Sequence, residues 1–110
     1  MIPQKYQACI DACADCIVAC KDASSENLKE DDIEMMSRSV KLNHDCAAVC
    51  ILAMQSMASD SELVQQICKL CVEVCNICAD ECDKYDYMEH CKTCVAACRQ
   101  CAIECSKICL

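Results

Sequence analysis

The sequence predicts an all-α protein, an antiparallel up-down-up-down four-helix bundle with a cysteine-lined core. Seventeen of the 110 residues are cysteine, and they recur at intervals of three and four, the spacing of one helix face. The chain contains no glycine and one proline, which disfavours tight turns at positive φ and favours long helices. Short polar links separate four helical stretches, an arrangement that makes successive helices antiparallel. We expect a single domain over residues 1–110.

The first helix is expected from about Pro3 to about Asp22, with fraying towards Leu28. Proline suits the first turn of a helix because its missing N–H would have no partner there. The polar residues that follow Asp22 indicate a boundary. A rotation of about 100° per residue places the four cysteines of this helix within about 60° of one another: Cys9, Cys13, Cys16 and Cys20.

The second helix is expected from about Asp32 to about Ala58, and it is poor in cysteine. It carries only Cys46 and Cys50. By the same rotation, three other side chains are expected to share the face of these two cysteines: Met35, Ser39 and Met57. The second helix is therefore expected to be the sparse wall of the bundle.

The third helix is expected to begin near Ser59, where Ser59-Asp60-Ser61-Glu62 has the pattern of a capping box, and to end near Asp83. Its five cysteines are separated by steps of 3, 4, 3 and 4 and span about 80° of the helix: Cys68, Cys71, Cys75, Cys78 and Cys82. The row is expected to be flanked by the apolar side chains Val72, Val74 and Ile77. The solvent-facing side of the helix is expected to include the charged residues Lys69, Glu73, Asp80 and Glu81.

The fourth helix has a looser start signal at Asp86-Tyr-Met-Glu89 and is expected to continue almost to Leu110. It carries six cysteines: Cys91, Cys94, Cys98, Cys101, Cys105 and Cys109. The residues between them suit contact with water, namely Lys92, Thr93, Arg99, Gln100, Glu104 and Lys107. The thiol face of the helix is therefore expected to point into the bundle.

Charge and hydropathy exclude several classes of partner. The net charge of −8 argues against nucleic acid. No run of about 20 apolar residues occurs, so we expect no membrane partner. Lys5, Asp11 and Asp15 lie where the apolar region of a secretory signal would stand. A cytoplasmic location is therefore expected, where cysteines stay mostly reduced and serve as metal ligands more often than as disulfides.

Seventeen thiols on inward faces require a chemical reason. Leucine, isoleucine or valine would bury more apolar area at each position, so core filling alone explains them poorly. Disulfides are disfavoured because the count is odd and because cysteines three or four apart on one helix are badly placed for a bridge.

A metal is the remaining explanation, and Cu(I) fits a row of thiols best. Zinc prefers discrete groups of four ligands, and iron–sulfur motifs place their cysteines on loops. Cu(I) is satisfied by two or three thiolates, and each Cu⁺ displaces about one proton, so the core stays near neutral as it fills. The alternatives are a zinc or mixed-metal thiolate buffer, a thiol-redox protein using a CxxC pair, and a purely structural bundle.

The cysteine pattern resembles that of the copper storage protein family, in particular its cytosolic members, over essentially the whole chain. The matching segments are CIDACADCIVAC, CAAVC, CKLCVEVCNICADEC and CKTCVAACRQCAIEC. The resemblance implies a tube of thiols that holds many Cu(I) ions, a homotetramer, and copper storage with no enzymatic activity. A copper chaperone or a small-molecule copper donor is the expected partner.

The chain departs from the family pattern at one end of the expected bundle. Related chains tend to continue the cysteine row of helix one where this chain has Ala23 and Asn27, and tend to have a cysteine where Ser39 stands. The resemblance therefore implies fewer copper ions at this end. Histidines often surround the connection between helices three and four in the family, whereas Tyr85 and Tyr87 occupy it here.

Secondary copper ligands are expected at the same end, because imidazole and thioether groups bind Cu(I) more exchangeably than thiolates do. His90 and Met35 are the candidate ligands, and Met36 and Met88 map nearby. His44 is expected to face outward, roughly 160° from Cys46. At the opposite end, Met54 and Met57 are expected to pack in the core.

Overall fold

The computed structural model describes residues 1–109 and contains the four predicted helices. A short 3-10 turn at Gln4–Tyr6 leads into α1, Gln7–Asn27; the later helices are α2, Ile33–Ala58, α3, Val64–Asp83, and α4, Glu89–Ile108. Each helix packs against two neighbours in the ring order α1–α2–α3–α4. The bundle is 46 Å long and 19 by 17 Å across. The predicted antiparallel up-down-up-down bundle is confirmed.

The bundle has two ends, which we name after a residue at each. The His90 end holds the α1–α2 and α3–α4 connections, and the Tyr85 hydroxyl donates to the Met35 carbonyl there at 3.3 Å. The Cys109 end holds the α2–α3 connection and the beginning of α1. At that end the Tyr6 hydroxyl donates to Asp60 Oδ1 at 2.9 Å. Within residues 1–109, no helix is both long and apolar enough to span a bilayer.

The first helix is longer than its sequence suggests. The polar residues after Asp22 continue α1 to Asn27, so the expected boundary was too early. Ala23, Ser24 and Asn27 are buried against the bundle. Packing of one helix face stabilises this segment although its serines and asparagine are weak helix formers, because most helical stability in proteins comes from tertiary contacts.

The predicted start of α3 was wrong. The helix begins at Val64, and Ser59 instead ends α2 by donating from its backbone N–H to the Gln55 carbonyl at 3.2 Å. Asp60 then adopts a positive φ of 50°, within the connection where the chain turns from α2 into α3. The hydroxyl of Ser61 accepts the Leu63 N–H at 3.1 Å. Serine and aspartate side chains serve turns as readily as helix starts, which is why the capping pattern misled.

The remaining helix ends lie closer to prediction. Asp32 caps α2, because its side chain accepts the Met35 N–H at 3.0 Å. The fourth helix begins at Glu89, so the start signal at Asp86 was three residues early. It ends at Ile108, and Leu110 lies outside the described residues.

Glu81 corrects a prediction about the third helix. It was expected on the solvent-facing side, but its side chain is only 4% exposed and it forms ion pairs with Arg38 of α2 and Lys84. Burial alone would raise the pKa of this carboxyl, but the hydrogen bonds from Lys84 and Arg38 outweigh burial and hold the pKa below its ordinary value. The buried carboxylate therefore ties α3 to α2 near the His90 end.

Candidate metal centre

The interior of the bundle is a column of sulfur atoms contributed by all four helices. Sixteen of the cysteines are buried, Cys109 is partly exposed, and none forms a disulfide. Alanines such as Ala47, Ala53 and Ala79 fill much of the remaining core. Every predicted thiol face therefore points inward, and we call this set of 17 cysteine sulfurs the thiol column.

The sulfurs of the thiol column are spaced like the ligands of a metal ion. Cys16 Sγ lies 3.6 Å from Cys46 Sγ and 3.7 Å from Cys98 Sγ, and Cys50 Sγ lies 3.7 Å from Cys71 Sγ. Metal–sulfur bonds of ~2.3 Å separate two ligands by ~4.0 Å in trigonal and ~3.8 Å in tetrahedral coordination. The thiol column therefore has the spacing that three or four sulfur ligands of one metal ion need.

The candidate metal groups overlap. The groups whose four sulfurs all lie within 4.8 Å of one another include the following five: Cys13, Cys71, Cys101 and Cys105; Cys16, Cys46, Cys50 and Cys75; Cys16, Cys20, Cys46 and Cys98; Cys20, Cys78, Cys94 and Cys98; and Cys50, Cys71, Cys75 and Cys101. Most of these cysteines belong to two groups. The sulfurs therefore form a continuous path through the bundle, along which thiolates can bridge neighbouring ions.

Burial and neighbouring thiols favour the protonated form of Cys91 and Cys98. Burial raises the pKa of Cys91 to about 11, and the neighbouring Cys94 and Glu30 add to the rise. Hydrogen bonds with Cys16, Cys20 and other thiols, together with burial, hold the pKa of Cys98 far above its ordinary value. A cation that binds either of these two thiols must therefore displace its proton.

Asn43 lies in the thiol column, although it was not among the predicted site residues. It is fully buried on α2, and its Oδ1 accepts hydrogen bonds from three thiols, at 3.3 Å from Cys78, 3.5 Å from Cys82 and 3.6 Å from Cys94. Its Nδ2 has no partner. The available signal was its spacing of seven residues from Cys50, which places a polar side chain on the thiol face.

The three departures from the family pattern all lie inside the bundle at the His90 end. Ala23, Asn27 and Ser39 are fully buried, as expected for positions in the cysteine rows. Asn27 Oδ1 lies 2.8 Å from His90 Nε2 and 3.6 Å from Cys91 Sγ. The Ser39 hydroxyl and the Asn27 Nδ2 have no hydrogen-bond partner. Polar and small groups therefore replace sulfur at this end of the column.

The candidate secondary ligands differ in their access to the core. His90 and Met88 are half-buried. Met36 is fully buried, whereas Met35 is 41% exposed. Placing Met35 on the thiol face was wrong, because the buried face of α2 begins at Met36, three residues before Ser39. A copper-binding role for Met35 stays a prediction.

His44, Met54 and Met57 lie where they were predicted to lie. His44 is exposed, and Lys21 Nζ donates to its Nδ1 at 3.0 Å. Met57 is fully buried at the Cys109 end, and Met54 packs partly buried against the core. Neither methionine is exposed on the surface of the bundle.

A groove opens at the Cys109 end. Its volume is about 610 Å³, and its lining includes Tyr6, Val64, Lys69 and Cys109. Cys109 is the one cysteine that is not fully enclosed. The two ends of the column thus differ chemically, with a half-buried imidazole at one and a partly exposed thiol at the other.

Comparison with known proteins shows which family model and which protein sequence this chain is similar to. The sequence model of the copper storage protein family matches residues 2–110. The uncharacterized cysteine-rich protein YhjQ of Bacillus subtilis is 39% identical over 84 residues, which are 76% of this chain and 78% of that protein.

The solved structures that share the fold include two copper storage proteins. The Cu(I)-bound copper storage protein BsCsp3 of Bacillus subtilis superposes with a TM-score of 0.92 at 37% identity, covering 97% of this chain and 100% of that chain. A cytosolic copper storage protein of Streptomyces lividans, loaded with five coppers, superposes with a TM-score of 0.92 at 27% identity, covering 96% of this chain and 92% of that chain.

Proposed function

This chain belongs to the copper storage protein family, and we propose that it sequesters many Cu(I) ions on the thiolates of its core. The observation that supports this function most strongly is the continuity of the thiol column. Four helices bring sulfurs to spacings such as 3.6 Å between Cys46 and Cys75 and 3.8 Å between Cys50 and Cys101. Soft thiolates select Cu(I), which needs only two or three of them for each ion.

Charge favours Cu⁺ over Zn²⁺ as the stored ion. Three of the groups of four sulfurs have no cysteine in common with one another, so three Zn²⁺ ions with twelve ligands would be geometrically possible. Twelve thiolates around three divalent ions would leave six uncompensated negative charges in a dry core, which is costly. One Cu⁺ for each thiolate would leave no uncompensated negative charge. A zinc or mixed-metal buffer therefore remains the second candidate.

We assign the copper ligands to all 17 cysteines: Cys9, Cys13, Cys16, Cys20, Cys46, Cys50, Cys68, Cys71, Cys75, Cys78, Cys82, Cys91, Cys94, Cys98, Cys101, Cys105 and Cys109. His90 is assigned as an exchangeable ligand at its end of the column. Met35, whose side chain is exposed, would take copper outside the column. Capacity then lies between roughly 8 and 17 ions, depending on whether thiolates bridge two metals.

A thiol-redox function has less support. Reactive cysteines are partly exposed and lie in electropositive surroundings. The CxxC pairs of this chain, such as Cys68 with Cys71 and Cys91 with Cys94, are fully buried. Catalysis is therefore not part of the proposed function.

The cellular context is also proposed. The Streptomyces lividans relative is described as cytosolic, which supports a cytoplasmic location here. A homotetramer, and delivery of copper by a chaperone or a small-molecule donor, follow only from the family resemblance. Storage and detoxification use the same chemistry in such a core.

Titration of the reduced, metal-free protein with Cu(I) under anaerobic conditions tests the function. A chromophoric Cu(I) chelator reports free copper, and a parallel titration uses Zn²⁺. We expect more than about ten Cu(I) ions per chain and about one proton released per ion. Saturation at about four or fewer Cu(I) ions would refute storage, and tighter filling by Zn²⁺ would favour the second candidate.

A further inference from the structure

Asn27 is the last residue of α1 and lies fully buried at the His90 end. Its Oδ1 lies 2.8 Å from His90 Nε2 and accepts a hydrogen bond from Cys91 Sγ at 3.6 Å. A neutral thiol donates a hydrogen bond and is a weak acceptor. The atom of Asn27 that faces Cys91 is therefore its carbonyl oxygen, and the same oxygen must accept a hydrogen from His90 Nε2.

We propose that Asn27 positions His90 for copper by holding its imidazole as the Nε2–H tautomer, which leaves the lone pair on Nδ1 to bind Cu(I). This inference rests on the proposed function and deepens it. A neutral imidazole binds a metal through the nitrogen that carries no hydrogen, and the hydrogen bond made by the other nitrogen decides which nitrogen that is.

Burying an asparagine at position 27 is energetically unfavourable, which supports a role for Asn27 beyond packing. The residue follows Cys20 by seven positions on the thiol face, so an asparagine here replaces a potential thiolate. Its Nδ2 is buried without a partner, which is unfavourable for a group that serves only to fill space. An apolar side chain or a cysteine would avoid that cost, but neither would accept a hydrogen bond from His90 as a carbonyl oxygen does.

The geometry also restrains the ring. His90 lies in the first turn of α4, and Asn27 lies in the last turn of α1. Their hydrogen bond spans two helices that pack side by side, so the imidazole is held against the end of the column. Cys91, which follows His90 directly, shares the same carbonyl oxygen as acceptor. The carbonyl therefore sets the orientation of the imidazole beside the Cys91 thiol.

Nitrogen NMR of the metal-free protein, with ¹⁵N-labelled histidine, tests the tautomer at about pH 8, above the usual imidazole pKa. His44 is an internal reference, because Lys21 donates to its Nδ1 and it lies outside the column. We expect the His90 hydrogen on Nε2. Cu(I) is diamagnetic, so its binding should move the His90 Nδ1 resonance while Nε2 keeps its hydrogen.

Variants separate positioning from packing. Asn27→Ala should give a mixture of His90 tautomers and about 10–100-fold weaker Cu(I) binding at His90, measured by the Nδ1 resonance in competition with a chelator. Asn27→Asp keeps an acceptor oxygen and should restore the Nε2–H form. Ser24→Ala is the matched control, because it removes a different buried polar group of α1, the hydroxyl that donates to the Lys21 carbonyl, and should change neither readout.

Three results would overturn the inference. The first is a His90 hydrogen on Nδ1 in the unaltered protein. The second is an Asn27→Ala variant that keeps both the Nε2–H form and the affinity. The third is an Nδ1 resonance that stays fixed while the column takes up more than about ten Cu(I) ions, which would leave copper storage standing. Saturation at about four ions would instead refute storage itself.

Discussion

Cys46 Sγ of α2 lies 3.6 Å from Cys75 Sγ of α3, across the middle of the bundle. The same sulfur also approaches Cys16 at 3.6 Å and Cys98 at 3.9 Å. One cysteine of the helix poorest in thiols therefore touches all three other helices. Cys46 therefore links the sulfurs of all four helices, although α2 supplies only one other cysteine, Cys50.

Substituting Cys46 should lower the Cu(I) capacity by more ions than the loss of a single, unshared ligand would. Cys46 belongs to two overlapping groups of four sulfurs, so Cys46→Ser should lower Cu(I) capacity by about two ions or more, since shared thiolates hold more than one metal. Anaerobic Cu(I) titration measures the capacity. Cys109→Ser is the matched control and should lose at most about one ion. Equal losses from both variants would contradict the overlapping arrangement.

Adding sulfur at the His90 end should raise capacity. Ser39 is fully buried and its hydroxyl has no partner, so Ser39→Cys places a further thiol at this end of the column without breaking a hydrogen bond. We expect about one more Cu(I) ion per chain. Ser37→Cys is the control, because Ser37 is exposed on the same helix. An unchanged capacity for Ser39→Cys would show that this end of the column does not hold copper.

The stability of the metal-free protein should fall in alkaline solution. Burial raises the pKa of Cys91 from its ordinary 9.0 to about 11, so the folded state holds this proton more tightly than the unfolded state does. The resulting stabilisation is complete below about pH 9 and is lost as pH rises towards about 11. Anaerobic urea unfolding across this range measures it.

A variant isolates the contribution of Cys91 from those of lysine and tyrosine side chains that titrate nearby. Cys91→Ala lacks the raised pKa, so the difference in unfolding free energy between the two proteins should shrink from pH 9 to about pH 11. A difference that stays constant or grows over this range would show that the thiol is not held protonated by the fold.

Removing the charge of Glu81 should destabilise the bundle. The carboxylate is buried and paired with Arg38 and Lys84, whose side chains are largely exposed. Glu81→Gln should therefore cost about 1–2 kcal/mol, less than breaking a fully buried pair. Because the folded pKa of Glu81 is lowered, its contribution is present above the unfolded pKa and is lost as pH falls below it.

Urea unfolding at neutral pH and in acid measures this effect, and Glu73→Gln is the control because Glu73 is exposed on the same helix. The two variants should differ at neutral pH and converge in acid, where Glu81 is protonated in the unaltered protein as well. A Glu81→Gln variant as stable as Glu73→Gln at neutral pH would contradict a stabilising role for the ion pairs.

Most of the architecture could be predicted from sequence, because cysteine spacing reports helix rotation directly. The four predicted thiol faces are confirmed, because 16 of the 17 cysteines are buried. Predictions failed where a residue type serves two purposes. Ser59 ends one helix and does not begin the next, and Glu81 is a buried ion-pair partner although it is charged. Met35 and Met36 are adjacent, and only packing shows which one is buried.

The sequence by itself determined that this chain has four helices whose thiols face inward, because the angle between side chains on one helix depends only on their spacing. Tertiary structure alone decided which sulfurs meet across helices, that Asn43 lies among three thiols, and that Asn27 faces His90. Those contacts depend on how far each helix is shifted along its neighbours. That shift is set by the packing of all four helices together, and the spacing along any one of them does not contain it.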